Sequence, residues 1–132
     1  MNRNEIIKKA IEAMDSAYAP YSKFKVGAAL LTKSGKIFTG CNVENSSYGA
    51  SICAERVAIF KAISEGEREF ELLIVATKTE EPSPPCGICR QVISEFSNDL
   101  PIFLVNEKGT IIETNIRELL PFPFLKEKLE EG

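Results

Sequence analysis

Two short apolar segments with a helical stretch between them constrain the fold of this chain more than any other sequence feature. Leu72–Thr77 and Ile102–Val105 are predicted as buried strands, and Cys86–Phe96 as the helix that joins them. Upstream, a predicted strand over Ile37–Cys41 leads to a predicted helix over Ile52–Glu65. Strands joined through helices pair in parallel with right-handed crossovers, so the pattern predicts an α/β protein.

Two predicted turns add antiparallel strands to this sheet. The turn Lys33–Lys36 joins a strand over Val26–Thr32 to the strand Ile37–Cys41, which predicts a hairpin. A last strand, Thr110–Thr114, follows Ile102–Val105 after a turn that is too short for a crossover, so it returns antiparallel. The sheet is therefore predicted to have five strands of mixed direction.

Helices are predicted on the faces of this sheet. Apolar residues recur with helical spacing over Asn4–Tyr18, Asn2 and Glu5 form a potential capping box, and a short helix covers Ile116–Leu120. The fold class that follows is a three-layer α/β/α sandwich with a mixed five-stranded sheet. We expect residues 1–132 to form a single domain.

Composition and charge exclude several kinds of protein. The chain is 44% apolar and 27% charged, as in soluble globular proteins, and its longest apolar run is far short of the ~20 residues of a membrane span. Charged residues interrupt the N-terminal segment, so no secretory signal is expected. The net charge is −3 and the basic residues are scattered, unlike those of a nucleic-acid-binding protein. We expect a cytoplasmic protein that binds a small molecule, with neither nucleic acid nor membrane as a partner.

Four cysteines and no histidine narrow the chemistry that is available to the chain. In a reducing compartment, metal ligation or catalysis by cysteine is more common than disulfide bonding. The absence of histidine excludes Ser-His and Cys-His catalysis, so a carboxylate, Lys, Tyr or Cys must transfer any protons.

Three of the cysteines lie at predicted helix starts. Cys86 and Cys89 form a C-x-x-C pair whose thiolates the helix dipole favours, although the pair alone also fits a redox dithiol or two core cysteines. Cys53 begins the other helix, and both helices start at the carboxyl side of neighbouring sheet elements, so the three thiols can meet. Three thiolates and one water complete a tetrahedral zinc site of the catalytic type.

Glu55 and Arg56 lie beside Cys53 in the first helical turn. The Glu55 carboxylate can take a proton from a metal-bound water, whereas an isolated Glu there would only complement the helix dipole. Zn²⁺ with three thiolates carries a net charge of −1, which opposes ionisation of that water. A hydrogen bond from Arg56 to the sulfurs would withdraw this charge, and a solvated helix charge is the alternative interpretation.

Four motifs together carry a family resemblance, and they are Tyr18–Ala29, Gly40–Asn45, Cys53–Arg56 and Pro85–Gln91. In this order they resemble the zinc-dependent cytidine deaminases in their small, homotetrameric, three-cysteine form. The resemblance covers nearly the whole chain and implies the cytidine deaminase-like fold.

The resemblance also implies the reaction. Cys53, Cys86 and Cys89 would hold one Zn²⁺ per subunit, and Glu55 would carry protons from water to the pyrimidine N3 and to the leaving amine. Cytidine or 2′-deoxycytidine would become uridine or 2′-deoxyuridine with release of ammonia, a reaction of pyrimidine salvage.

Substrate contacts follow from the same resemblance. Asn42 and Glu44 would bind the ribose hydroxyls, and Phe24 would contact the base. The backbone of Ala54 would lie at the base edge, and the carbonyl of Pro84 would accept a hydrogen bond from the leaving amine. In the homotetramer, neighbouring subunits would complete each site through Tyr48 and Phe124, with Phe122 as a possible substitute for Phe124.

Three other functions compete with this interpretation. A thioredoxin-like dithiol at Cys86 and Cys89 leaves Cys53, Glu55 and Arg56 unexplained. A non-catalytic structural zinc module would take Cys41 as its fourth ligand, although a Cys after a strand is more often a small buried apolar residue. A related deaminase could act on another cytosine nucleoside such as blasticidin S. A polynucleotide-editing deaminase is disfavoured because the chain has no basic groove.

Overall fold

Five short strands pair into one mixed sheet in the computed structural model, which describes residues 2–132. Its strands are β1 (Val26–Thr32), β2 (Ile37–Cys41), β3 (Phe70–Thr77), β4 (Pro101–Asn106) and β5 (Ile111–Asn115). Its helices are α1 (Arg3–Ala13), α2 (Ala54–Ser64), α3 (Gly87–Phe96), α4 (Ile116–Leu119) and α5 (Lys126–Glu131). Every predicted strand is present with bounds within two residues of the prediction.

The order of the strands in the sheet is β2-β1-β3-β4-β5. β1 is antiparallel to both β2 and β3, β3 is parallel to β4, and β5 returns antiparallel to β4. β2 and β3 therefore point the same way, as the strand-helix-strand pattern predicts. However, β1 lies between them, so the predicted pairing of β2 with β3 is wrong, and α2 and α3 follow two strands that are not neighbours.

Helix α1 covers one face of the sheet. The Asn2 side chain accepts a hydrogen bond of 2.9 Å from the Glu5 backbone N–H, which confirms the predicted N-cap. The helix ends at Ala13, five residues earlier than predicted, and a 3₁₀ turn over Met14–Ser16 replaces its last turn. Ala17 is already extended because the next residue, Tyr18, pairs with the loop after β2: its N–H donates to the Asn42 carbonyl at 3.0 Å and its carbonyl accepts from the Glu44 N–H at 2.8 Å.

Helices α2, α3 and α4 cover the opposite face. Their buried residues share one core with the strands, including Ala58 and Ile59 of α2, Ile93 of α3 and Ile116 of α4. A second core lies under α1 and includes Ile6, Ala10 and Met14. Helices therefore pack on both faces of a five-stranded sheet, which confirms the predicted three-layer α/β/α sandwich.

Two features of the helices complete the description. The tail after Phe124 forms the short helix α5, which the sequence analysis did not predict. Of the helices formed by residues 2–132, none combines the length and the apolar character that crossing a bilayer requires.

Candidate metal centre and substrate pocket

Three cysteine thiols converge where α2 and α3 begin. Cys53 is the N-cap residue of α2, Cys86 is the N-cap residue of α3, and Cys89 lies in the first turn of α3. The Cys86 Sγ lies 3.6 Å from the Cys53 Sγ and 3.5 Å from the Cys89 Sγ. All three sulfurs lie within 4.8 Å of one another, so the predicted meeting of the thiols is confirmed. It takes place although β1 separates the strands that lead to α2 and α3.

The spacing of these sulfurs fits zinc. A disulfide would hold two sulfurs about 2.05 Å apart, and all four cysteines are free. Three thiolates placed about 2.3 Å from a tetrahedral Zn²⁺ are separated from one another by about 3.8 Å. The shorter distances between the thiols are close to this value. Cys41 lies outside the cluster, which leaves three protein ligands and an open position.

Arg56 places a positive charge beside the Cys53 sulfur. The Arg56 Nη2 lies 3.5 Å from the Cys53 Sγ and donates a hydrogen bond to it. Hydrogen bonds from the Cys89 thiol and from Arg56 lower the pKa of Cys53 to about 5. The hydrogen bond that Cys89 donates to this thiolate, together with its burial, raises the pKa of Cys89. Among residues 2–132, the Arg56 Nε is buried and has no hydrogen-bond partner.

Glu55 is a buried residue next to Arg56 at the start of α2. Its side chain follows Cys53 by two positions in the first turn of α2, and the residue is only 3% exposed. Burial penalises the charged carboxylate and raises the pKa of Glu55 to about 7. A group with this pKa can hold and release a proton near neutral pH, which is the property that a general acid-base catalyst needs.

One cavity of about 480 Å³ joins these groups to most of the predicted substrate contacts. Its size is in the range of small-molecule sites. It is lined by Cys53, Cys86, Glu55 and Arg56 together with the predicted contacts Phe24, Asn42, Glu44, Tyr48 and Pro84. Ala54 is fully buried beneath it, and Phe124 does not line it. A cavity of similar size near Asp99 contains no thiol.

The two predicted ribose contacts are held by the segment that carries Phe24. The Asn42 Nδ2 donates to the Phe24 carbonyl at 2.7 Å, and the Asn42 Oδ1 accepts from the Val26 N–H at 2.8 Å. The Glu44 carboxylate accepts hydrogen bonds from the Ser22 hydroxyl and from the Ser22 N–H, which lower the pKa of Glu44. The sequence analysis missed Ser22, although it lies within the first motif of the family resemblance.

Arg90 and Gln91, also missed, connect α3 to the segment before it and to the C-terminal part of the chain. The Arg90 side chain donates to the Pro85 carbonyl and to the Leu119 carbonyl, each at 2.9 Å. The Gln91 amide donates to the Phe124 carbonyl at 2.6 Å and accepts from the Phe124 N–H at 3.2 Å. The signal that could have found them is their position directly after the C-x-x-C pair.

A cluster of three free thiols beside a buried carboxyl group, next to a cavity of small-molecule size in an α/β/α sandwich, matches the class of zinc-dependent nucleobase deaminases. Comparisons with known proteins identify the family within that class. Residues 1–104 match the family model for the cytidine and deoxycytidylate deaminase zinc-binding region. The chain belongs to this family.

Similar proteins cover almost the whole chain. It is 52% identical over 130 residues to a cytidine deaminase of Sporosarcina psychrophila, covering 98% of this chain and 96% of that protein. It is 48% identical over 132 residues to a cytidine deaminase of Halalkalibacterium halodurans, covering 99% and 100%. A crystal structure of cytidine deaminase from Burkholderia pseudomallei superposes with a TM-score of 0.91 at 48% identity, covering 94% of this chain and all of that one.

Proposed function

We propose that this chain catalyses the zinc-dependent hydrolytic deamination of cytidine and 2′-deoxycytidine to uridine and 2′-deoxyuridine. The observation that carries the proposal is a cluster of three thiols, two of which line a single cavity of about 480 Å³ together with one buried carboxyl group. The family membership and the cytidine deaminases at about half identity support the same substrate.

Cys53, Cys86 and Cys89 would hold the zinc ion. When bound, zinc supplies a Lewis acid that activates water for attack on C4 of the pyrimidine. Glu55 takes a proton from the attacking water and delivers it to N3. The new C4–O bond forms as N3 gains this proton. Glu55 then takes the proton of the new C4 hydroxyl and passes it to the amine on C4. The C4–N bond breaks as the C4=O double bond forms, and ammonia leaves.

The other residues of the cavity hold the nucleoside in place. Asn42 and Glu44 bind the ribose hydroxyls, and Phe24 packs against the base. The Ala54 backbone lies at the base edge, and the Pro84 carbonyl accepts a hydrogen bond from the amine that will leave. Proline keeps its carbonyl although it lacks an N–H, so this contact is chemically available.

An assay of substrate loss and ammonia release tests this function. The purified protein is expected to consume cytidine and release one ammonia for each uridine formed. Blasticidin S is the alternative substrate, because a blasticidin-S deaminase of Bacillus cereus is 29% identical over 130 residues. Turnover of blasticidin S without turnover of cytidine would overturn the proposal.

The role proposed for Arg56 is to withdraw charge from the sulfurs. Its guanidinium contacts the Cys53 Sγ, and three thiolates leave the site with one excess negative charge when zinc is bound. Arg56→Gln is therefore expected to lower zinc affinity or turnover by about tenfold to a hundredfold. Metal content and turnover are measured beside Arg68→Gln, whose exposed guanidinium donates to the Ile63 carbonyl instead. Unchanged metal content and turnover in Arg56→Gln would contradict this role.

The proposed assembly is a homotetramer whose subunits share their active sites. Exposed aromatic side chains support it, because Tyr48, which lines the cavity, is 76% exposed and Phe124 is 59% exposed in a single chain. Phe122 is 93% exposed. Phe124 is held in place more firmly, because the Gln91 side chain makes hydrogen bonds with both its carbonyl and its N–H. We therefore favour Phe124 as the residue that reaches the neighbouring site.

Phe124→Ala is expected to raise KM for cytidine by about three- to tenfold, because one aromatic contact to the substrate is lost. Phe122→Ala is the matched control and is expected to leave KM unchanged. Mixed oligomers of Phe124→Ala and Glu55→Ala chains test the sharing, because some sites regain both native residues from different subunits. Recovery of low-KM activity on mixing supports shared sites, and its absence from a confirmed mixed tetramer would contradict them.

We further propose that one domain spanning residues 1–132 carries this activity, and that it serves pyrimidine salvage in the cytoplasm. The four free cysteines support a reducing compartment, because the proposed site needs three unoxidised thiols.

A further inference from the structure

Gly40 lies in β2 directly beneath the first turns of α2, where there is no room for a side chain. A Cβ atom on Gly40 would lie 2.4 Å from the Ala54 carbonyl oxygen and 2.7 Å from the Ala58 nitrogen. Both neighbours are backbone atoms of α2, so neither can turn aside as the end of a flexible side chain would. Any larger residue must therefore lift α2 from the sheet.

This displacement would act on only part of the proposed metal centre. Ala54 lies between Cys53 and Glu55, so these two residues move with the start of α2. Cys86 and Cys89 belong to α3, which follows β3, and β1 separates β3 from β2 in the sheet. Lifting α2 therefore moves one thiol relative to the other two.

The size of the shift decides its consequence. Real Cβ atoms essentially never approach another heavy atom closer than 3.0 Å, so the contact with Ala54 must lengthen from 2.4 Å to at least that distance. Metal–ligand distances tolerate changes of only about 0.2 Å. We infer that Gly40 is a positioning residue of the metal centre, because it lets the α2 backbone lie close enough to β2 for Cys53 to meet Cys86 and Cys89.

Gly27 provides a matched control on the other face of the sheet. A Cβ atom on Gly27 would lie 2.1 Å from the Ala10 carbonyl oxygen and 2.8 Å from the Met14 nitrogen. The same substitution in the neighbouring strand therefore displaces a helix backbone in the same way. The displaced segment is α1 and the turn after it, which carry no cysteine.

The experiment compares Gly40→Ala with Gly27→Ala in the full chain. Zinc affinity is measured by competition with a chelator, and Co²⁺ bound in place of zinc reports ligand geometry through its absorption spectrum. Gly40→Ala is expected to weaken zinc binding by about tenfold to a hundredfold and to alter the Co²⁺ spectrum. Gly27→Ala is expected to stay within about twofold of the parent, because its clash is with α1, on the face of the sheet opposite α2 and α3.

A second pair of variants covers the case in which Gly40→Ala does not fold. Ala58 of α2 and Ala10 of α1 are both fully buried, and each supplies a backbone atom to the glycine contact described above. Ala58→Val and Ala10→Val instead add volume to the buried cores by which α2 and α1 pack on the sheet. Folding of all variants can be supported with trimethylamine N-oxide, which favours the buried state. The same difference in zinc affinity is expected, with Ala58→Val binding more weakly than Ala10→Val.

The inference rests on the proposed function, since it needs a metal at the three thiols, but the two can fail separately. If the parent chain binds no zinc, the proposed metal centre is wrong. If the parent binds zinc and the α2-side and α1-side variants lose affinity equally, or not at all, only the role of Gly40 is overturned.

Discussion

Glu55→Ala should lower kcat for cytidine by about 10²- to 10⁴-fold while the zinc content stays the same. The carboxyl group lines the cavity beside the thiols, and no histidine is available to replace it as a proton carrier. Burial raises the pKa of Glu55 to about 7, so the group can exchange protons near neutral pH. The measurement follows the loss of cytidine absorbance and the release of ammonia at equal zinc loading.

Glu5→Ala is the control for this variant. Glu5 also lies in the first turn of a helix, so its loss removes helix-dipole stabilisation without touching the cavity. It is expected to retain the parent turnover. Equal rates for the parent and Glu55→Ala would show that another group transfers the protons, and the role assigned to Glu55 would be wrong.

Cys86→Ser should remove bound zinc and lower kcat by about 10³-fold or more, because the Lewis acid contributes several kcal/mol of transition-state stabilisation. Serine is smaller and keeps a polar atom near the sulfur position, but it does not supply the thiolate ligand that zinc prefers. Zinc per chain is measured by elemental analysis, together with cytidine turnover.

Cys41→Ser separates a catalytic site from a structural zinc module. Cys41 is half-buried at the end of β2 and lies outside the thiol cluster, so its replacement is expected to leave zinc and turnover intact. Loss of zinc from this variant would make Cys41 a fourth ligand. The site would then have no open position for water, and the catalytic interpretation would fail.

The strands were predictable because most of them contain a short apolar run that is bounded by turns. β3 and β4 are buried along most of their length, and the turns before β2 and β5 contain Gly35 and Gly109 with positive φ, which favours glycine. Strand order was harder to predict. Nothing local in the sequence states that β1 inserts between β2 and β3, because that choice depends on contacts between distant segments.

The candidate site was predictable as a set of residues but only partly as an arrangement. Cysteine spacing and helix starts indicated which thiols could meet. By contrast, the hydrogen bonds of Asn42 to the backbone of Phe24 and Val26 depend on how a loop meets the end of β2. The same is true of Gln91, whose contact with Phe124 joins residues that are distant in sequence. Side chains that bind backbone groups leave no periodic pattern in a sequence.

Cys53 and Cys86 occupy N-cap positions, yet neither side chain caps its helix with a hydrogen bond. An oxygen-bearing residue at each position would ordinarily stabilise the helix by about 1 kcal/mol. The first turns of α2 and α3 thus lack a conventional cap at the very point where zinc would join them. Metal binding would then join the N-termini of two helices that lack a side-chain cap. Removal of the metal by a chelator is expected to destabilise both N-termini together. Hydrogen exchange at the first backbone amides of α2 and α3 would then show a loss of protection in both helices.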